Sequence, residues 1–454
     1  LFAQDPNNPV TSGNSGMTGS IGTVTLNRQV YNQLSIRPEI PIGKLGVGLD
    51  IYLYFNDEGM YWDSWDFSSG GSAYKTIIDK IYYLRWGEPG DNLYFMAGAL
   101  ASVTLGKGIL VNNYANIMEY PQVRQVGLNL QAKVAGFEIE LIHSNFKSTT
   151  PGIMGIRGSR SIIPKLSVGV SFVTDLDQLA GLPDSDGDNY PDYYDYYPED
   201  EKMWDDSIQA RTEWAGFNSF LIEQGYDAIS DLEFGDWFRA SKYHNTYSPD
   251  EAKSNPISGI AVDVSYVLNE KVSIYSQFGL LKGEIPDPED NSKNVDLGWG
   301  MVPLGIRGKV GPIDILAEYR IGKRRFVFNY WDRAYDVNRA TIINSSAKSE
   351  VATRESQLYQ FGELNGFYTQ AEMSLMNLFT LVSGYQNMQG EKWDAELNEY
   401  KTGEANQTLL STIRINPSLI PKVGKAEAFY QQSNVSNPFD FTPTVSTIWG
   451  YDVG

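Results

Sequence analysis

Apolar and polar residues alternate along this chain from one end to the other, in stretches of about nine to twelve positions. Side chains of a strand point to opposite faces in turn, so such a stretch separates the two classes onto two faces. From 45 to 55, Leu45, Val47, Leu49, Ile51, Leu53 and Phe55 share one face; Gly46, Gly48, Asp50, Tyr52 and Tyr54 share the other. Beyond Pro121, Val126, Leu128, Leu130 and Ala132 oppose Gly127, Asn129, Gln131 and Lys133, and Phe137, Ile139 and Leu141 oppose Glu138 and Glu140. Ile260, Val262 and Val264 oppose Ala261, Asp263 and Ser265. Ile313, Ile315, Ala317 and Tyr319 oppose Asp314, Glu318 and Arg320, and Phe367, Ala371 and Met373 oppose Tyr368, Gln370 and Glu372. No run approaches the roughly 18–20 apolar residues of a membrane-spanning helix. A membrane could be crossed only by strands.

The connections differ in length by turns. Ile42-Gly43-Lys44, Ala135-Gly136, Pro164-Lys165, Asn269-Glu270-Lys271 and Gly311-Pro312 carry residues that close tight hairpins. Between them lie long polar stretches near 56–73, 105–121, 175–256, 283–297, 331–365 and 389–405. Short turns at one end and long loops at the other predict an all-β fold: a transmembrane antiparallel β-barrel of about sixteen to eighteen strands in a Gram-negative outer membrane. The alternative, a soluble all-β sandwich, would not sort loop lengths by parity. The expected organisation is a flexible leader over 1–20, barrel over 21–174 and 257–454, and a partly helical extracellular insertion over 175–256. Leu1-Phe2-Ala3 looks like the tail of a secretory signal.

One strand face is nearly free of charge and suits lipid. The other carries Asp50, Glu138, Glu140, Asp263, Arg307, Lys309, Asp314, Glu318, Arg320, Glu372 and Arg414, which predicts a charged lumen. Aromatics near strand ends (Tyr52, Tyr54, Phe55; Tyr82, Tyr83, Trp86; Tyr94, Phe95; Phe326, Phe328, Tyr330, Trp331) are expected to form interfacial girdles.

Composition removes other classes. With 36 Lys+Arg against 56 Asp+Glu, the net charge of −20 disfavours nucleic acid. Zero Cys excludes disulfides, thiolate metal sites and thiol nucleophiles. There are two His, His143 and His244; His143, two positions beyond Leu141 in a strand with Glu138 and Glu140, is the better candidate for a surface hydrolase. No phosphate loop and no Gly-x-Ser-x-Gly elbow occur, so an enzyme is not expected.

One motif stands apart: Asp184-Ser185-Asp186-Gly187-Asp188-Asn189-Tyr190-Pro191-Asp192-Tyr193-Tyr194-Asp195. Counted from Asp184, acids fall at positions 1, 3, 5, 9 and 12. Calcium takes about six to eight hard oxygens, and this spacing wraps a loop around one ion. Asp184, Asp186, Asp188, Asp192 and Asp195 would supply carboxylates, and Tyr190 a backbone carbonyl. The stretch resembles a thrombospondin type 3 repeat, present here in one copy. The insertion that follows is rich in Tyr, Trp and Phe, and Met203–Gln224 has helix-compatible spacing.

The chain as a whole is similar to the large outer-membrane barrels of Bacteroidetes-like bacteria. The likeness lies in Arg37-Pro38-Glu39, Gly46-Val47-Gly48-Leu49-Asp50 and Leu105-Gly106-Lys107-Gly108-Ile109-Leu110-Val111-Asn112-Asn113-Tyr114 before Tyr120-Pro121. It implies surface location and transport rather than a reaction. Those barrels finish on an aromatic, and here the last ones are Trp449 and Tyr451. The expected function is porin-like passage of polar solutes with a calcium-stapled surface loop. The alternative is a structural or interaction barrel that anchors a surface assembly or binds a protein or polysaccharide partner. The expected surroundings are outer-membrane lipid.

Overall fold

The computed structural model describes the chain apart from residues 1–16, 27–28, 58, 63–64, 119–123, 149, 185–187, 189, 201, 245–254, 291, 345–348, 376–377, 416–425, 445 and 454. Twenty strands join one antiparallel sheet. Leu45–Leu49 and Ile51–Asn56 are consecutive halves of one wall position, both laddered to Gln29–Ile42, and Gly59–Met60 merely folds back on the second half. Twenty less these two leaves eighteen wall positions, running in chain order from Met17–Leu26 to Thr447–Val453. An even count is what a single-chain bacterial barrel requires. The first strand begins at Met17, inside the stretch expected as leader.

Parity of the connections follows the expectation. One end carries the turns at 43–44, 135–136, 164–165, 270–271 and 311–312; the other carries 57–80, 99–126, 176–256, 283–298 and 324–360. One expected loop is different. Residues 389–405 continue the hairpin of Phe379–Asp394 and Glu399–Ile415, whose ladder runs on to Asp394 and Glu399 with one register shift between Gly390 and Lys392. The polar composition of that stretch masked the strands.

The two faces of the wall meet different media. Val170, Val262 and Phe278 are cross-strand neighbours on three successive strands, and they stand 55%, 44% and 38% exposed. Ile156, Phe172, Ile260, Leu304, Ile306 and Ile315 extend the same exposed belt. A soluble monomer does not leave so continuous an apolar band in water, where each Å2 costs about 25 cal/mol. Among the described residues no helix is long and apolar enough to cross a membrane. The opposite face is buried: Asp50, Tyr83, Tyr94, Glu318, Arg320 and Tyr368 all lie on it. Buried side chains from Tyr52 through Ile142, Val173, Tyr275 and Leu316 to Met388 form one cluster. The same cluster includes Ile109, Leu110 and Trp331 from connections outside the wall, packed with side chains of strands as far apart as Ile51–Asn56 and Phe379–Asp394, so the sheet curls around them. The chain is an all-β transmembrane barrel of the bacterial outer membrane, with hydrogen-bonded walls and lipid on its aliphatic face.

The girdle expectation needs correction. Tyr52, Tyr82, Tyr83, Tyr94, Phe326, Phe328, Tyr330 and Trp331 are all buried, while Phe55 and Trp86 are exposed. Strand parity turns Tyr52, Tyr83 and Tyr94 inward, and Tyr82 falls at the register shift between the pairs Gly48–Tyr83 and Leu49–Ile81. Phe326, Phe328, Tyr330 and Trp331 do not belong to a wall strand; they lie in the connection that follows Ile313–Lys323 and pack with the interior cluster.

Candidate functional site: a divided lumen

Two of the long connections fold into the barrel and meet. In the first, Gly106 and Gly108 both take positive φ, which permits the tight turn Leu105-Gly106-Lys107-Gly108 closed by Gly108 N–H on Leu105 O. Any Cβ at Gly106 would strike Arg157. The turn presents Ile109, Leu110 and Val111 to a segment from the second connection. There Asn329 N–H donates to Ile109 O, Trp331 N–H to Leu110 O and Asn112 N–H to Trp331 O, at 3.0–3.1 Å. The result is a short parallel bridge across the interior, a septum.

The septum is tied to the wall on several sides. Ile109 N–H donates to Gln277 Oε1 at 3.2 Å, and Gly106 N–H to Glu140 Oε2 at 3.3 Å. Within the interior, Tyr114 of the first connection donates to Asp336 of the second at 2.7 Å, and Tyr330 to Gln178 of the insertion at 2.8 Å. Asp175 accepts from Tyr335 at 2.6 Å and from Arg339 at 2.7 Å. Towards the last strands, Gln431 donates to Asp332 at 3.1 Å, and Arg354 pairs with the same carboxylate at 2.9 Å. Backbone that leaves a strand inside a barrel must find such partners, because lipid and core supply none.

The lumen residues expected from sequence are inward, but they fall into two groups. In the first group the charges are buried or half-buried and paired, within one strand or from strand to strand. Arg157 joins Glu140 (2.5 Å) to Asp263 (3.0 Å). Asp50 holds Arg37 at 2.9 Å and has Arg124 at 3.6 Å. Glu318 pairs with Arg320 at 2.6 Å, accepts from Tyr275 at 2.6 Å, and Arg320 passes on to Gln386 at 2.7 Å. In the second group, Asp314, Glu138 and Glu372 are exposed near the short-turn end, and Asp314 lies 3.4 Å from Lys309. Sequence reasoning missed Arg37, Arg157 and the whole septum. Arg157 had a signal, since it alternates inward in Met154–Ile163; the septum had none, because an inward loop and an outward loop read alike. His143 stacks on Phe146, with ring centroids 4.1 Å apart, and makes no hydrogen bond to an acid among the described residues.

Beside the septum a cleft of about 500 Å3 opens between the 326–361 segment, the last wall strands and the 436–446 connection. Next in sequence to the cleft residue Arg354, Glu355 is buried against Gly283, with one carboxylate oxygen accepting from Gln178 at 3.2 Å. Burial pushes the Glu355 carboxyl up to about 7.

The insertion builds a small core of its own. Helices Ser207–Glu223 and Asp231–Ala240 pack Ala210 and Trp214 against Phe234, Trp237 and Tyr243, and Asp206 caps the first helix through Gln209 N–H. In the acidic loop, Asp192 N–H closes onto Pro183 O at 2.8 Å, and Tyr190 stacks on Trp204. Asp188 accepts from Tyr190 N–H and Asp195 from Tyr197 N–H, both at 2.7 Å. Asp184 is exposed, and Asp186 lies outside the described residues. Among the described residues no three acidic or histidine side chains converge on a metal position.

No protein-family model and no curated protein matches the chain, so the two resemblances stated above rest on their quoted residues. Among solved structures, the chain is similar to Wzi of Escherichia coli, described as a carbohydrate-binding β-barrel of the outer membrane involved in group 1 capsule assembly. Identity is 11%, coverage 93% of this chain and 80% of that one, and the TM-score 0.36. OccK3 of Pseudomonas aeruginosa is 9% identical over 93% of this chain and 90% of its own, with a TM-score of 0.37. OccAB4 of Acinetobacter baumannii is 8% identical over 97% and 94%, with a TM-score of 0.36.

Proposed function

We propose that this barrel passes polar solutes across the outer membrane through a lumen narrowed by the septum. The observation that carries this reading is the pairing of residues 109–112 with 329–331 inside a wall lined by charge. A barrel of eighteen strands is wide enough for an aqueous channel, and an inward septum converts a general pore into a selective one. The Arg157 pairs with Glu140 and Asp263, which cross strands, and the Glu318–Arg320 pair within one strand hold the wall in shape. Asp314, Glu138 and Glu372, exposed at the short-turn mouth, would set the field that an entering ion meets. Planar-bilayer recording tests the reading: small, cation-preferring conductance is expected, rising severalfold when 105–112 is replaced by a Gly-Ser linker. No conductance from either form would overturn it.

The acidic loop completes the proposal. Its donors are all oxygens, as calcium requires, and the 2.8 Å closure of Asp192 on Pro183 already bends it into a loop. Asp184, Asp186, Asp188, Asp192 and Asp195, with the Tyr190 carbonyl, would hold one ion and staple the insertion over the mouth. Removing calcium from the folded protein should increase protease cleavage within 184–240 and spare the barrel. An unchanged cleavage pattern with chelator would remove calcium from this picture.

A further inference from the structure

The cleft beside the septum is lined chiefly by neutral hydrogen-bonding side chains: Asn, Gln, Ser and Thr outnumber all other types in its wall. Its charged members are two acids, Asp332 and Asp440, and two bases, Arg354 and Lys392, so the formal charge cancels. Two of these are already engaged with one another, since Asp332 and Arg354 pair at 2.9 Å. Asp440 turns its carboxylate to the backbone of Thr442 at 3.0 Å. The lining therefore offers a charged solute no net opposite charge. Amides remain available. Gln360 donates to Gln357 at 2.9 Å, which leaves the Gln357 amide hydrogens and the Gln360 carbonyl for a further partner. Leu358 and the half-buried Phe361 add an apolar patch next to them. Convergent neutral donors and acceptors beside an aromatic ring, in a cleft of ligand size, match a ring that carries hydroxyls on its edges and C–H groups on its face.

From this we infer that the cleft is a binding site for a neutral oligosaccharide, the solute class selected at the septum. The inference deepens the passage reading and rests on it for the solute's route, but the site itself can be tested separately.

The test uses the full chain, refolded in detergent for calorimetry and reconstituted in planar bilayers for current. Maltotriose is the neutral probe, with citrate and trilysine as the anionic and cationic ones. Maltotriose is expected to bind and to interrupt the ionic current in a concentration-dependent way. The double variant Gln357→Leu/Gln360→Leu removes both members of a mutually bonded pair, so neither is left orphaned. It should raise the half-blocking concentration about tenfold, the effect of losing two or so hydrogen bonds. Thr444→Trp, at the exposed rim, should fill the cleft and abolish block without touching that pair. Ordinary conductance with no maltotriose binding in either assay would overturn the site and leave passage standing. Stronger block by citrate or trilysine than by maltotriose would overturn the neutral class. Calorimetric binding that the double variant weakens, in a protein with no conductance, would support the site while removing passage.

Discussion

At several points on the inner wall a glycine lies under a cross-strand side chain. A Cβ at Gly48 would sit 2.5 Å from the Tyr83 ring, and Gly169 stands where the Arg157 guanidinium lies. The ring and the cation can lie flat across the strand only because nothing projects beneath them, and this lets Tyr83 and Arg157 fill the lumen wall without pushing strands apart. On the outer face the demand is simpler, namely apolarity. Val262→Arg, in the middle of the exposed belt, should reduce the folding stability in a bilayer by about 2–4 kcal/mol, as charge does at mid-depth on a lipid face. Ser265→Arg, inward and half-buried on the same strand, should cost much less. Urea titration of folding into liposomes compares the two, and equal losses would contradict the assignment of faces. Asn129 is no such open position: it is buried on the inner face, so the period-two rule places it inward but says nothing of how crowded that face is.

At the scale of elements, the strands were legible and the septum was not. Leu45 to Phe55 and Ile313 to Ile321 alternate because each wall position touches lipid on one side and protein on the other. The helix Ser207–Glu223 lies within the stretch read from 203 to 224 for a similar reason, its apolar spacing being set by Trp214 and its neighbours. Leu105 to Tyr114 also drew notice, but as a family likeness, without the reason the structure supplies: it is the half of the septum that pairs with 329–331. A loop that folds inward obeys no period, since its partners come from distant strands such as those of Gln277 and Gln431. Glu355 gives the second half of the septum region a pH dependence. Its folded-state value, about 7, lies above the usual carboxylate value of roughly 4.3, so burial favours the protonated form. Its contribution is fully present below about pH 4 and is lost as pH rises through about 7. The thermal midpoint of the wild-type barrel should therefore fall more between pH 5.5 and pH 8 than that of Glu355→Gln. Parallel pH profiles would show that the carboxyl does not titrate in this window.

For the whole molecule, one physical fact organises the rest: the aliphatic row on the strands from Met154–Ile163 to Ile313–Lys323 has no protein over it. The buried charges and the two inward connections lie on the other side of the same sheet. Parity of the loops and the absence of any apolar run long enough for a spanning helix agree with that inversion, and both could be read from the sequence. The solute could not, because the cleft that would bind it is assembled from the 326–361 segment and the last strands, which meet only in the folded barrel. The chain contains no cysteine, so a single introduced thiol can be labelled uniquely. A fluorophore placed at Val170→Cys, Val262→Cys or Phe278→Cys should be quenched by brominated lipid tails and ignored by aqueous iodide, with the reverse at Ser265→Cys and Arg307→Cys. Labels on the aliphatic row that iodide quenches and lipid bromine does not would contradict the membrane assignment, and the channel with it.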